Sequence, residues 1–111
     1  MSCGGVRYEA VQMLSNSTNK IVQDIYLKKL VEEQDSRVRR SYITGIGKLF
    51  EKNQAVKEDK AILEFYLVNL INNETSYYAI ADGISTLAMI LDKDKIYDVV
   101  VPYLAKDSHA E

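Results

Sequence analysis

Residues that break helices are scarce in this chain. One proline, Pro102, and five glycines stand among 111 residues. From Val6 onward the apolar residues recur with the 3.6-residue spacing of an amphipathic helix, and this combination predicts helix throughout. Six helices are expected. The first covers about 6–15 and carries Val6, Ala10, Val11 and Leu14. The second covers about 18–34 with Ile21, Ile25, Leu27, Leu30 and Val31, and Asn16, Ser17 and Thr18 before it offer capping oxygens. The third covers about 36–52 with Val38, Tyr42, Ile43, Ile46, Leu49 and Phe50, after a break at Asp35-Ser36 where either side chain can cap. The fourth covers about 57–72 with Ile62, Leu63, Tyr66, Leu67, Leu70 and Ile71. It is expected to end at Asn72-Asn73, since Asn tolerates the left-handed C-terminal position. The fifth covers about 75–91 with Ala79, Ile80, Ile84, Leu87 and Ile90, and Thr75 as its cap. The sixth covers about 93–105 with Ile96, Val99, Val100 and Leu104. Its Val99-Val100-Val101 run alone suggests a strand, but the charged flanks and the lack of a partner strand favour helix, and Pro102 should bend or end it.

The six helices fall into three pairs, and the first helices of the pairs align. Val6-Arg7-Tyr8-Glu9-Ala10-Val11-Gln12-Met13-Leu14 matches Val38 to Ile46 at an offset of 32, and a further offset of 41 reaches Ala79, Ile84 and Leu87. Each helix places apolar residues at a start, five later and eight later. Leu14, Ile46 and Leu87 are therefore expected as equivalent core positions. The next residue is small in every case: Ser15, Gly47 and Ala88. Repeats of this length and content mean stacked helical hairpins. The expected fold is all-α, a right-handed α-solenoid of three antiparallel hairpins (repeats about 6–34, 36–72 and 75–105) behind a flexible tail at residues 1–5.

Composition narrows the function. Fourteen Lys plus Arg against sixteen Asp plus Glu give a net charge of −2, against a generic nucleic-acid-binding surface. The longest apolar runs are four to six residues, too short to cross a bilayer. No apolar stretch follows the start, so no secretory signal is expected and the expected location is cytoplasmic. Cys3 is the only cysteine and His109 the only histidine. That excludes an internal disulfide, a multi-cysteine zinc site and any two-histidine metal motif.

The segment Asp35-Ser36-Arg37-Val38-Arg39-Arg40, running to Ile46-Gly47, resembles the HEAT repeat, where an Asp turn precedes Val-Arg, small residues and Leu-Gly. Asn73-Glu74-Thr75-Ser76-Tyr77-Tyr78-Ala79 resembles the Asp-Pro-Ser-Tyr-Tyr-Val turn of a narrower set of HEAT-like repeats. These form the C-terminal region of aminopeptidase N-like zinc metallopeptidases. The closing Lys106-Asp107-Ser108-His109-Ala110-Glu111 resembles the Ser-His turn that opens the next repeat there. The likeness covers about residues 6–111. It departs from the pattern where proline is missing from the Ser-Tyr-Tyr turn and where Asp82, Gly83 and Ser85 replace an Ala-rich helix. The resemblance implies a fragment with a structural role, closing over a catalytic domain and restricting access to its active-site chamber. The family's His-Glu-x-x-His and exopeptidase motifs are absent, so no catalytic residue carries over. The chain itself is expected to need no cofactor, with zinc belonging to the parent enzyme.

Arg37, Arg39 and Arg40, with Lys48 beyond them, form the densest basic cluster. They read either as phosphate contacts, as in HEAT-like DNA-alkylation repeat glycosylases, or as cross-links to Asp35 and to acids of the next hairpin. Arg7, in register with Arg39, favours cross-links. Gly45-Ile46-Gly47 lacks a preceding strand and a third glycine, so tight helix packing explains it better than a phosphate loop. Tyr42, Tyr66, Tyr97 and Tyr103 are expected at core edges. Tyr77 and Tyr78 are adjacent on one helix, so one should pack inward while the other can meet a partner. Asp92, Asp94 and Asp98 with Glu111 could suggest a cation site, but their alternation with lysines reads more simply as a solvated helix start. Met13 and Met89 are expected as core fillers. No nucleophile–base pair or metal set can be assembled, so the chain is not expected to be an enzyme. Arg37, Arg39, Arg40, Tyr77 and Tyr78 are the candidate interaction residues. The expected partner is a protein, either the rest of a longer chain or another subunit, with self-association through uncapped apolar ends. An independent HEAT-repeat adaptor is the alternative, and nucleic acid is a less favoured ligand.

Overall fold

A computed structural model describes residues 4–104. Seven helices and no strand are found among them: α1 Gly4–Leu14, α2 Ile21–Leu30, α3 Ser36–Lys52, α4 Gln54–Lys57, α5 Lys60–Asn73, α6 Tyr77–Ile90 and α7 Lys93–Leu104. α1 starts at Gly4, so Gly4 and Gly5 are helical and not part of a tail. Cys3 and the Lys106–Glu111 segment lie outside the described residues.

Local chemistry sets the boundaries. Asp35 caps α3, its carboxylate accepting from the Arg37 N–H at 2.9 Å. The cap of α6 is Ser76, which accepts from the Ala79 N–H at 3.3 Å, and not the expected Thr75. α2 is shorter than expected; Lys20 before it makes no side-chain cap bond, and the Asn19 Oδ1 accepts from the Ile21 N–H at 3.1 Å instead. It stops at Leu30 while the Glu33 and Gln34 carbonyls bond the Arg39 guanidinium at 3.1 and 2.9 Å. α4 was not expected. Asn53 creates it by accepting from the Ala55 N–H at 3.0 Å and donating to the Thr18 carbonyl. α5 ends at Asn73 with Glu74 extended, φ −76° and ψ 139°, and no described residue has positive φ. The left-handed termination expected at Asn72-Asn73 is absent because the Glu74 carboxylate satisfies the exposed N–H groups of Thr75 and Ser76, at 3.0 Å each.

α3 is the centre of the molecule. It packs against α1, α2 and α6, while α5 and α7 pack against α6. Val38, Ile43, Ile46 and Leu49 of α3 are fully buried, with Tyr26 of α2, Leu63 and Leu67 of α5 and Leu87 of α6. Each such side chain contributes about 1.5–3 kcal/mol by leaving water. Polar contacts fix the helix directions. Arg40 meets Asp82, and the Thr86 hydroxyl donates to the Ile43 carbonyl at 3.3 Å, so α3 and α6 run the same way. Lys60 meets Asp92 at 3.7 Å and Tyr103 donates to the Ile71 carbonyl at 3.1 Å, so α5 and α7 also run the same way.

The expected equivalence of Leu14, Ile46 and Leu87 fails at one member. Ile46 and Leu87 are fully buried, but Leu14 is 42% exposed. Among the described residues α3 packs closely against helices on two sides and α1 packs most closely against α3, and Val11 is the one buried residue of α1. Of the small residues that follow these three positions, Ser15 and Gly47 are buried and Ala88 is exposed. Met13 and Met89 are also exposed rather than core fillers. Among the tyrosines, Tyr42 is buried and Tyr66 and Tyr103 are half-buried, but Tyr97 is exposed. The Val99-Val100-Val101 run is helical, with Pro102 inside the last turn of α7.

Candidate interaction surface

The five candidate residues separate into two groups. Arg39 turns inward and becomes part of a link between helix starts. Its Nε and Nη2 donate to the two Glu74 carboxylate oxygens at 2.8 and 2.7 Å. Nη1 takes the Glu33 and Gln34 carbonyls described above. Arg7 repeats the arrangement, with Nε and Nη2 on the Glu33 carboxylate at 2.8 and 2.9 Å. Each arginine is the fourth residue of its helix, and each glutamate lies three residues before the next helix of the α1, α3, α6 series. Two parallel N–H···O bonds per pair make these the strong, geometrically specific form of ion pair. The corresponding position in α6 is Ile80, which is buried.

Burial pushes the Glu74 carboxyl up, but the Arg39 guanidinium and the Ser76 and Thr75 N–H groups outweigh it and hold the pKa below the usual range. Glu33 follows the same balance, with Arg7 and the Asp35 N–H overcoming burial. The Glu74 bond raises the Arg39 pKa above its ordinary value. These arginines are committed to structure. The glutamates were not singled out in the sequence, although their place three residues before two aligned helices was a visible signal.

Arg37, Arg40 and Tyr78 gather on the outer side of α3. Arg40 Nε donates to Asp82 at 2.7 Å, and its guanidinium carbon lies 5.2 Å from the Tyr78 ring centre. Tyr77 meets Tyr78 edge to face at 5.9 Å. Arg37 pairs with Asp35 at 3.2 Å and stays largely exposed. Arg37, Arg40 and Asp82, together with Tyr8, Glu9 and Gln12 of α1, line an open groove of about 570 Å³. Its mixed charge and exposed aromatic edge suit polar protein contacts. As expected of two neighbours on one helix, Tyr78 is exposed while Tyr77 is half-buried.

Gly45 and Gly47 are packing positions. A Cβ on Gly45 would stand 2.6 Å from Ser15 Oγ and 2.7 Å from Tyr26 Cε2. The Tyr26 hydroxyl lies 2.6 Å from the Val11 carbonyl and 3.0 Å from Ser15 Oγ. Tyr26, missed in the sequence, thus joins α1, α2 and α3, and its burial raises the phenol pKa. Asp59, also missed, accepts from Gln23 at 3.0 Å and meets Lys20 at 2.8 Å, which hold its pKa down.

Among the described residues no three His, Cys, Asp or Glu side chains gather where they could hold a metal ion. No described helix is long and apolar enough to cross a membrane. No family model, curated protein or solved structure matches the chain.

Proposed function

We propose that this chain is a non-catalytic, HEAT-like helical scaffold, built as three stacked antiparallel hairpins, that works by presenting surfaces to protein. The observation that carries the reading is the repeated arginine–glutamate link, Arg7–Glu33 and Arg39–Glu74. Each link joins the first helix of one hairpin to the turn that opens the next. The shared direction of α3 with α6, and of α5 with α7, supports the same stacking. On this reading the groove lined by Arg37, Arg40 and Asp82, with Tyr78 beside Arg40, is the side-on contact surface.

The resemblance to aminopeptidase N-like C-terminal repeats gives the scaffold a specific setting, as a wall shaping access to a zinc peptidase's active site. The Ser76-capped turn before Tyr77-Tyr78 favours it, because the hydroxyl does there what a Ser-Tyr-Tyr turn requires. The test is the flanking coding sequence. An upstream frame encoding His-Glu-x-x-His is the expected result. A frame confined to Met1–Glu111 overturns the peptidase setting and leaves an independent adaptor. The purified chain supplied with zinc should not hydrolyse aminoacyl substrates, and turnover would overturn the non-catalytic reading.

A further inference from the structure

α1 exposes an apolar face whose counterpart in α3 is buried. Val6 and Met13 are 63% and 76% exposed, and Ala10 between them is exposed too. At the offset of 32 these residues correspond to Val38, Gly45 and Tyr42, all buried in α3. Gly45 is the place where α3 receives Ser15 and Tyr26. The opposite end of the molecule carries the matching half. α3 meets α6 through Arg40, the Ile43 carbonyl and Gly47, with Thr86 Cγ2 3.5 Å from where a Gly47 Cβ would sit. The same positions in α6, at the offset of 41, are Ala81, Ile84 and Ala88. Ala81 and Ala88 are exposed and Ile84 is half-buried. One end therefore repeats the donor side of the α3–α6 contact and the other end repeats its acceptor side.

We propose that the α1 face docks onto the α6 face of a second copy of this chain, head to tail, continuing the α3–α6 contact between molecules. Met13 takes the place of Thr86, and Ile84 and Ala88 take the places of Ile43 and Gly47. Such a contact is heterologous, since the two surfaces differ, so it propagates instead of closing into a dimer. A single helix face on each side buries little area, which makes the association weak and concentration-dependent. The inference rests on the repeat register of the scaffold reading.

The test is sedimentation velocity of the full chain from low micromolar to millimolar concentration, with two exposed-site variants, Met13→Glu and Ala88→Glu. Wild type should rise in average mass with concentration, passing the dimer without a plateau. Each variant alone should stay monomeric with an unchanged helical circular-dichroism spectrum. An equimolar mixture should form a one-to-one dimer that grows no further, because each variant keeps one intact face. A wild type that stays monomeric throughout, self-association that neither variant weakens, or a mixture that fails to pair overturns the proposal. Independent coupling of Arg39 with Glu74 in unfolding experiments would still stand in those cases, so the register and the docking fail separately.

Discussion

Gly45 and Gly47 lie two residues apart in one helix, yet alanine should act in opposite directions at the two positions. Replacing a helix-interior glycine by alanine gains about 1 kcal/mol from the lower backbone entropy of the unfolded chain. At Gly47 the new methyl would lie 3.3 Å from Met89 Sδ. Met89 is exposed and flexible, and it can yield by a few tenths of an ångström. Most of the gain should survive, and Gly47→Ala should stabilise by roughly 0.5–1 kcal/mol. At Gly45 the methyl would stand 2.6 Å from Ser15 Oγ and 2.7 Å from the Tyr26 ring. That ring is fully buried and its hydroxyl is held at the Val11 carbonyl. Overpacking of this kind costs about 1–3 kcal/mol, and displacing the bonded Ser15 and Tyr26 hydroxyls adds about 1 kcal/mol. The net expectation is a loss of about 1–3 kcal/mol once the propensity gain is subtracted. Urea unfolding followed by circular dichroism reads both variants against wild type at constant slope. A Gly45→Ala protein as stable as wild type would refute the argument that this glycine exists to admit Tyr26.

Four further outcomes follow from the same contacts. A double-mutant cycle on Arg39 and Glu74 should return a coupling of about 1–3 kcal/mol, and a value under about 0.3 kcal/mol would remove the link as an organising feature. Stability should be present above the ordinary glutamate pKa and decline as pH falls through the lower folded values of Glu33 and Glu74. Urea midpoints across pH 3–7 (about one unit per step) check this, and Glu74→Gln should flatten the acid limb. Ile46→Ala should cost about 2–5 kcal/mol, whereas Leu14→Ala should cost clearly less, about 1 kcal/mol, because Leu14 keeps 42% of its surface in water and its truncation encloses no cavity. Tyr26→Phe should cost about 1 kcal/mol, measurable by the same unfolding curves, and an unchanged midpoint would show the hydroxyl to be idle.

Helix content was legible because the breakers are few and the apolar spacing is regular, and the central helix was read almost residue by residue. α3 has neighbours on both sides, so its apolar pattern and its buried pattern coincide. α1 has the same pattern with one side uncovered, and there the sequence overstated burial at Val6 and Leu14. Periodicity reports which residues share a face, and it does not report whether anything covers that face. Boundaries were harder for a second reason. Helix ends depend on single polar contacts from distant residues, as when Arg39 takes the carbonyls beyond α2 or Asn53 starts α4. Tyr26 escaped notice because a tyrosine between apolar neighbours shows no sign of which carbonyl its hydroxyl will find.

The candidate site shows the same limit in charge. Arg37, Arg39 and Arg40 look alike in sequence, as one basic run. One helical turn separates their directions by about 100° per residue, so Arg39 reaches the acid before α6 while Arg40 meets Asp82 and Tyr78 on the far side. A run of positive residues on a helix is therefore several environments, and only partner acids tell them apart. Those acids are visible once the helices are aligned: Glu33 and Glu74 each stand three residues ahead of a helix start, each opposite an arginine at the fourth position of the helix before it. Where α6 carries Ile80 instead of arginine, that polar link has no donor. A further repeat docking on α6, as proposed above, would therefore rest on Ala81, Ile84 and Ala88 and not on an arginine at this position.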